Sequence, residues 1–85
     1  MPNVTLNNPN WQNVQVEVRR GRNSDCDLNV GFFNDVLTIG GHIEVPTDEQ
    51  NTTVCWRREA NPGGGGGWAG WNRTTPTLND ESWDI

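Results

Sequence analysis

Eighty-five residues carrying a net charge of −5 make one small domain, and the 17 Val, Leu, Ile and Phe side chains sit near the minimum for a packed core. All six basic residues are arginine in an acidic chain, which argues against a nucleic-acid partner. No apolar run approaches the roughly 20 residues of a membrane-spanning helix, so no membrane span is expected.

Helical periodicity is missing and two-residue alternation recurs. At the N-terminus, "NVTL" alternates Val4 and Leu6 before the turn-rich "NNPNW". Residues 1–10 therefore read as an N-terminal arm or edge strand, and residues 11–85 as a single β-domain. "NVQVEVRRG" is a half-buried strand with Val14, Val16 and Val18 on one face, Gln15, Glu17 and Arg19 on the other, and Gly21 at its end. "CDLNVGFF" sets Cys26, Leu28, Val30 and Phe32 on one face. A two-residue hairpin loop at Asn34 and Asp35 then pairs Phe32 with Leu37 and Val30 with Ile39, apolar against apolar. A three-residue loop, Gly40, Gly41 and His42, keeps Ile39 opposite Ile43 and Leu37 opposite Val45; the alternative is that the two glycines cross between sheets.

Beyond that point "PTDEQN", residues 46–51, is a turn, and "TTVCWRRE" is a strand with Val54 and Trp56 inward and Cys55 outward. Residues 60–67 form a flexible Gly-rich loop, "WAGWNRT" a last short strand, and the acidic tail "LNDESWDI" offers Trp83 and Ile85 as anchors. Five to seven short strands with turns between them give an all-β fold, a small antiparallel β-sandwich or barrel.

A core this thin needs a staple. With two cysteines, no C-x-x-C and a single histidine, the expected state is one disulfide, Cys26–Cys55, and closing a loop of about thirty residues is worth roughly 3–4 kcal/mol. Strand parity turns Cys26 inward and Cys55 outward, a conflict that a bulge or a strand end at the bridge resolves. A disulfide implies an oxidising compartment, so an extracytoplasmic location is expected: secreted, periplasmic or cell-surface. Met1 and Pro2 open no basic or apolar signal region, so the sequence reads as a mature form without signal peptide.

Catalytic chemistry has few candidates. The one histidine, His42, falls in a glycine turn, Ser24 and Ser82 lie in polar loops without an elbow motif, and the protein is not expected to be an enzyme. Oxygen-bearing side chains recur at Asn23, Asp25, Asp27 and Asn29, a loose calcium candidate, but an EF-hand loop counted from Asn23 would have Leu28 where Gly belongs and Asn34 where Glu belongs. No cofactor beyond such a calcium ion is expected. Three N-glycosylation sequons begin at Asn3, Asn51 and Asn72.

Trp11 and Trp56 adjoin apolar alternation and read as core residues, whereas Trp68 and Trp71 follow five consecutive glycines. Three residues apart, they point to opposite faces of a strand: one is expected to pack home, the other to be offered to a partner. Arg19 or Arg57 stacked on an indole, or paired with acids on adjacent strands, is a further expectation. The candidate interaction surface is thus Trp68 and Trp71 with Val4 and Leu6. The function expected is a non-enzymatic extracytoplasmic interaction or assembly module, its partner a protein, copies of itself included, joined by β-strand addition. Carbohydrate binding through an exposed Trp, with a glycan as partner, and a calcium-stabilised surface protein are the alternatives.

Overall fold

A computed structural model describes residues 3–61, 66–74 and 79–85. Seven strands are seen among them, in chain order β1 (Asn3–Asn7), β2 (Asn13–Gly21), β3 (Val30–Thr38), β4 (His42–Pro46), β5 (Thr53–Arg58), β6 (Asn72–Arg73) and β7 (Glu81–Asp84), with one 3-10 turn, Cys26–Leu28. They form two sheets, a three-stranded one ordered β4-β1-β7 and a four-stranded one ordered β3-β2-β5-β6. The arrangement is an open sandwich, the first of the two expected architectures, and no described helix is long and apolar enough to cross a membrane.

The core lies between the sheets. Val4 and Leu6 of β1, Ile43 and Val45 of β4, Val14, Val16 and Val18 of β2, Leu37 of β3, and Val54 and Trp56 of β5 fill it, with Trp11, Phe33 and Ile85 packed around. Trp56 also meets the Trp83 ring across the gap, centroids 5.7 Å apart. The tail anchors are therefore where the acidic C-terminus is tied down.

The first strand departs from expectation. It is neither arm nor edge: β1 pairs with β4 on one side and β7 on the other, and Val4 and Leu6 are 0% exposed. Alternating apolar side chains this close to a turn have an inner face to bury, and the middle of a sheet buries it best. The sheet is also not wholly antiparallel, since β7 runs parallel to β1, with Val4 opposite Glu81 and Leu6 opposite Trp83.

Asn34 and Asp35 do not turn the chain. β3 runs unbroken along β2, Asn13 opposite Thr38 and Arg20 opposite Val30. A nine-residue strand with a nine-residue partner overrides the local turn preference of Asn-Asp: Asn34 accepts from Gln15 Nε2 at 2.9 Å, and Asp35 Oδ1 accepts from the Val36 N–H at 2.7 Å. The register shifts at Val18/Arg19, so Val18 faces Phe33 and Arg19 faces Gly31. Phe33 and Leu37 stand opposite the inward Val18 and Val14 and reach the core, whereas Phe32 is the extra residue of the bulge, Val30 lies opposite Arg20 at the strand end and Leu28 belongs to the 3-10 turn, and all three are exposed.

Of the two readings of Gly40 and Gly41, the crossing between sheets is the one observed: β3 belongs to one sheet and β4 to the other. Gly40 takes φ +80°, a left-handed value that suits glycine. Asn8, 1% exposed, holds the crossing in place. Its side chain donates to the carbonyls of Trp11 (2.7 Å) and Leu37 (3.1 Å) and accepts from the Trp11 N–H (3.0 Å). Its backbone exchanges hydrogen bonds with Gly40 and Gly41. The expected 46–51 turn is present, closed by a bridge between Asp48 and Asn51.

Cys55 points away from the core, as parity requires, and Cys26 reaches it from the 3-10 turn, Cα to Cα 5.7 Å. The conflict of faces disappears because Cys26 is not in a strand. The bridge thus staples the outer face of the four-stranded sheet. Asn29 roofs it, donating to Cys55 Sγ at 3.6 Å and to the Asn23 carbonyl at 2.9 Å.

Asn8→Ala is expected to destabilise the fold by about 1–3 kcal/mol, because it strands buried backbone groups at the sheet crossing; urea unfolding at neutral pH measures it. Reducing the disulfide should lower stability by roughly 3–4 kcal/mol, read as a drop in melting temperature with reductant.

Candidate interaction surfaces

The outer face of the four-stranded sheet is organised around one carboxylate. Alternation that sends Val16 and Val18 inward sends Glu17 outward, and antiparallel pairing places it opposite Arg57. Arg57 Nε donates to Glu17 Oε1 at 2.8 Å, and its Nη2 lies 2.7 Å from the same oxygen. Arg19, two residues on along β2, donates to Glu17 Oε2 from Nε (3.4 Å) and Nη2 (3.3 Å). The Glu17 side chain is only 12% exposed.

The two tryptophans of the glycine segment lie over these arginines. The Arg57 guanidinium is 4.5 Å from the ring centroids of both Trp68 and Trp71, and Arg19 is 5.4 Å from Trp71. Gly66 (φ +101°) and Gly67 (φ +85°) take left-handed values, and the segment folds back: Ala60 N–H donates to the Gly67 carbonyl, Trp68 bridges Glu59, and Ala69 N–H donates to the Arg58 carbonyl. Both indoles end half-buried, rather than one inward and one outward. The expected Gly-rich loop also includes residues 62–65, which lie outside the described residues.

Arginine–aromatic stacking recurs elsewhere. Arg58 sits 4.4 Å from the Trp11 centroid, and Arg20 sits 5.2 Å from Phe32 while donating to the Pro46 carbonyl at 2.8 Å. A guanidinium hydrogen-bonds in its plane and stacks through its faces, so both contacts can be made at once.

Burial under this lid pushes the Glu17 carboxyl upward, but the hydrogen bonds and charges of Arg57 and Arg19 outweigh it, and the group titrates below the ordinary value of 4.5. Asp48, in its exposed turn, is lowered as well, chiefly because its carboxylate accepts from the Gln50 N–H.

The other candidates are dispersed. Val4 and Leu6 are core and form no surface. Asp25 and Asp27 are exposed, and Asp25 Oδ1 accepts from the Asp27 N–H at 3.0 Å as the cap of the 3-10 turn. Asn29 is turned toward the disulfide, and its amide Nδ2 binds the Asn23 carbonyl. Among the described residues no group of three or more His, Cys, Asp or Glu gathers. His42 and Ser82 flank β1 from opposite sides, on strands about 10 Å apart; Ser82 Oγ accepts from Asn7 Nδ2 at 2.8 Å, and His42 lies 3.9 Å from Glu44. Of the sequon asparagines, Asn72 is exposed on β6.

Two features escaped the sequence reading. One is Glu17 as the hub, signalled only by an acid at an outward position facing arginines. The other is the β3 edge. Among the described residues that strand pairs with one strand, β2, and Val30 (74%), Phe32 (39%) and Val36 (51%) stand exposed along it, with Leu28 and Ile39 exposed at its two ends. No protein-family model matches this chain, and neither the curated proteins nor the solved structures hold a match to it.

Glu17→Gln should lower stability by about 1–3 kcal/mol at pH 7. The sign follows from linkage: a carboxyl held below its unfolded value stabilises fully above that value and loses its contribution as pH falls through the folded one. The gap between wild type and variant is therefore expected to stay constant above about pH 5.5 and to close below 4.5. Thermal melts across pH 2–7 give the comparison.

Proposed function

We propose that this protein is a non-enzymatic interaction module of an oxidising, extracytoplasmic compartment, and that it associates with copies of itself by strand addition at the open edge of β3. The observation that carries this reading is the edge itself: nine residues long, paired on one side, and lined with exposed apolar side chains. Such edges are ordinarily blunted by lysine, proline or shortness. This chain has no lysine, and β3 has no proline. Its guards are the bulge and Asp35, whose carboxylate occupies the Val36 N–H.

A second copy fits this edge by its own symmetry. Antiparallel pairing of two β3 strands about Asn34 sets Phe32 of each against Val36 of the other and places Asp35 opposite Phe33. Centring one residue later would set Asp35 against Asp35, so like-charge repulsion selects between registers. The disulfide supports the compartment, since such bonds persist where the surroundings are oxidising.

Val36→Lys places a charge on the open edge at an exposed position and leaves the core alone. The wild type is expected to gain mass with concentration in sedimentation equilibrium, and the variant to stay monomeric with an unchanged melting temperature. A variant that associates as the wild type does would sink the edge reading.

A further inference from the structure

The open edge of β3 carries a charge on its inward side. Gln15 turns its backbone toward β5, where its carbonyl accepts from the Glu59 N–H at 3.0 Å. Its β3 partner, Val36, therefore turns its own N–H and C=O away from β2, to the open edge. That outward N–H is held by Asp35 Oδ1 at 2.7 Å. Asp35 itself stands opposite Val16, which is 0% exposed, and opposed residues share a face. It thus occupies an inward position between Phe33 and Leu37, both of which reach the core. At the rim its carboxylate stays exposed and turns to the Val36 amide. An inward-pointing charge on an edge strand is a device against pairing with another strand.

Among the described residues no ion pair neutralises that charge. Its β3 neighbours Phe33, Asn34, Val36 and Leu37 are uncharged, as are Val14, Val16 and Val18 along β2. Farther along the same row is Arg58 of β5, opposite Val16, but its guanidinium lies on the Trp11 ring, 4.4 Å from the centroid. Glu17, opposite Asn34, points to the other face and is held by Arg57 and Arg19. In the other sheet, β4 gives Ile43 and Val45 to the core and turns His42 and Glu44 outward.

We infer, on the reading that two β3 strands pair about Asn34, that Asp35 is an acid-released gate: its charged carboxylate obstructs the edge, and protonation opens it to the second copy. In that register the Val36 N–H is the donor that the Phe32 carbonyl of the other copy needs, so the carboxylate has to release it. Each Asp35 then faces Phe33 of the other copy, and the two Asp35 side chains stand diagonally across the joint, about 7–8 Å apart. Both changes act against the charged form. The apolar neighbour takes water from the carboxylate, and the second carboxylate repels it. A protonated Asp35 meets neither cost. Pairing therefore takes up protons, and it strengthens as pH falls through the range in which carboxylates are protonated.

Sedimentation equilibrium of the intact, disulfide-bonded chain tests this, with circular dichroism to confirm folding at each pH. The wild-type dissociation constant is expected to fall about tenfold between about pH 7 and 4.5. Asp35→Asn, which keeps the shape and loses the charge, should already associate about tenfold more tightly than wild type at neutral pH and change little on acidification. Asp35→Glu keeps the charge and should behave as the wild type. Every other titrating group is common to wild type and variants, so a general loss of negative charge acts on all of them alike. The gate is overturned if Asp35→Asn associates no more tightly than wild type at neutral pH, if it keeps the full pH dependence, or if Asp35→Glu matches Asp35→Asn. Adding Val36→Lys to Asp35→Asn should return a monomer at both pH values; association that survives it runs through another surface and also refutes the gate. Wild type that associates and is blocked by Val36→Lys, while Asp35→Asn merely equals it, keeps the edge and loses the gate. Wild type and Asp35→Asn both monomeric at every concentration and pH remove the edge and the gate together.

Discussion

Ten buried side chains must fill the gap between two sheets, and six of them are valines. Valine suits a pleated surface, stiff at χ1 and easily seated, but each buries little area. The row Val14, Val16 and Val18 of β2 is the hinge of the arrangement, since β2 alone pairs with both β3 and β5, and its inner face meets the β1 residues Val4 and Leu6. A core of this thickness leaves the sheets weakly joined at their margins. The margins are where the remaining devices sit: Asn8 at the crossing, Arg20 reaching the Pro46 carbonyl, and Trp83 leaning on Trp56. The outer face of the four-stranded sheet adds a second cohesive layer, made of the disulfide and the Glu17 cluster.

Much of this plan is legible in the residues, for one reason. Wherever a strand has one wet face and one dry face, the alternation records it, as in β1, β2, β4 and the inward pair Val54 and Trp56. Legibility ends where the deciding partner is distant in sequence. Asn34 and Asp35 look like a turn until a nine-residue β2 is laid beside them. The bulge at Val18/Arg19 leaves no mark in composition, yet it interrupts the alternation of β3 at Phe32. Val4 and Leu6 were equally compatible with an arm and with a central strand, since the same pattern serves both; only β7, arriving in parallel from the far end of the chain, distinguishes them. Among site residues, the pairing of the Arg19 and Arg57 patches with an acid on a neighbouring strand and their stacking on indoles could be anticipated. That Glu17 is the acid could not, because this depends on the β2–β5 register.

The surfaces left open follow from the same economy of residues. With 17 aliphatic and Phe side chains in the whole chain, any that face outward are withdrawn from a core that needs them. Val30, Phe32 and Val36 nevertheless stand exposed on β3, an edge strand among the described residues. Scattered apolar exposure is ordinary, but a row of it along an edge strand has a chemical direction, toward another strand.

The glycines beside the tryptophans now have a physical account. Gly66 and Gly67 bend the chain so that Trp68 pairs with Glu59 and both indoles settle on Arg57, a cation already oriented by Glu17. The supple backbone delivers the rings to a fixed target. Arginine is the side chain able to serve as that target, because its edge satisfies the carboxylate while its faces remain available to the rings. An ammonium group has no faces, and holding it against Glu17 would leave the indoles with nothing planar to cover. The absence of lysine and the abundance of tryptophan are therefore two aspects of one mode of packing. In it, stacked cations on the outside of the sheet supply cohesion that so small an interior cannot.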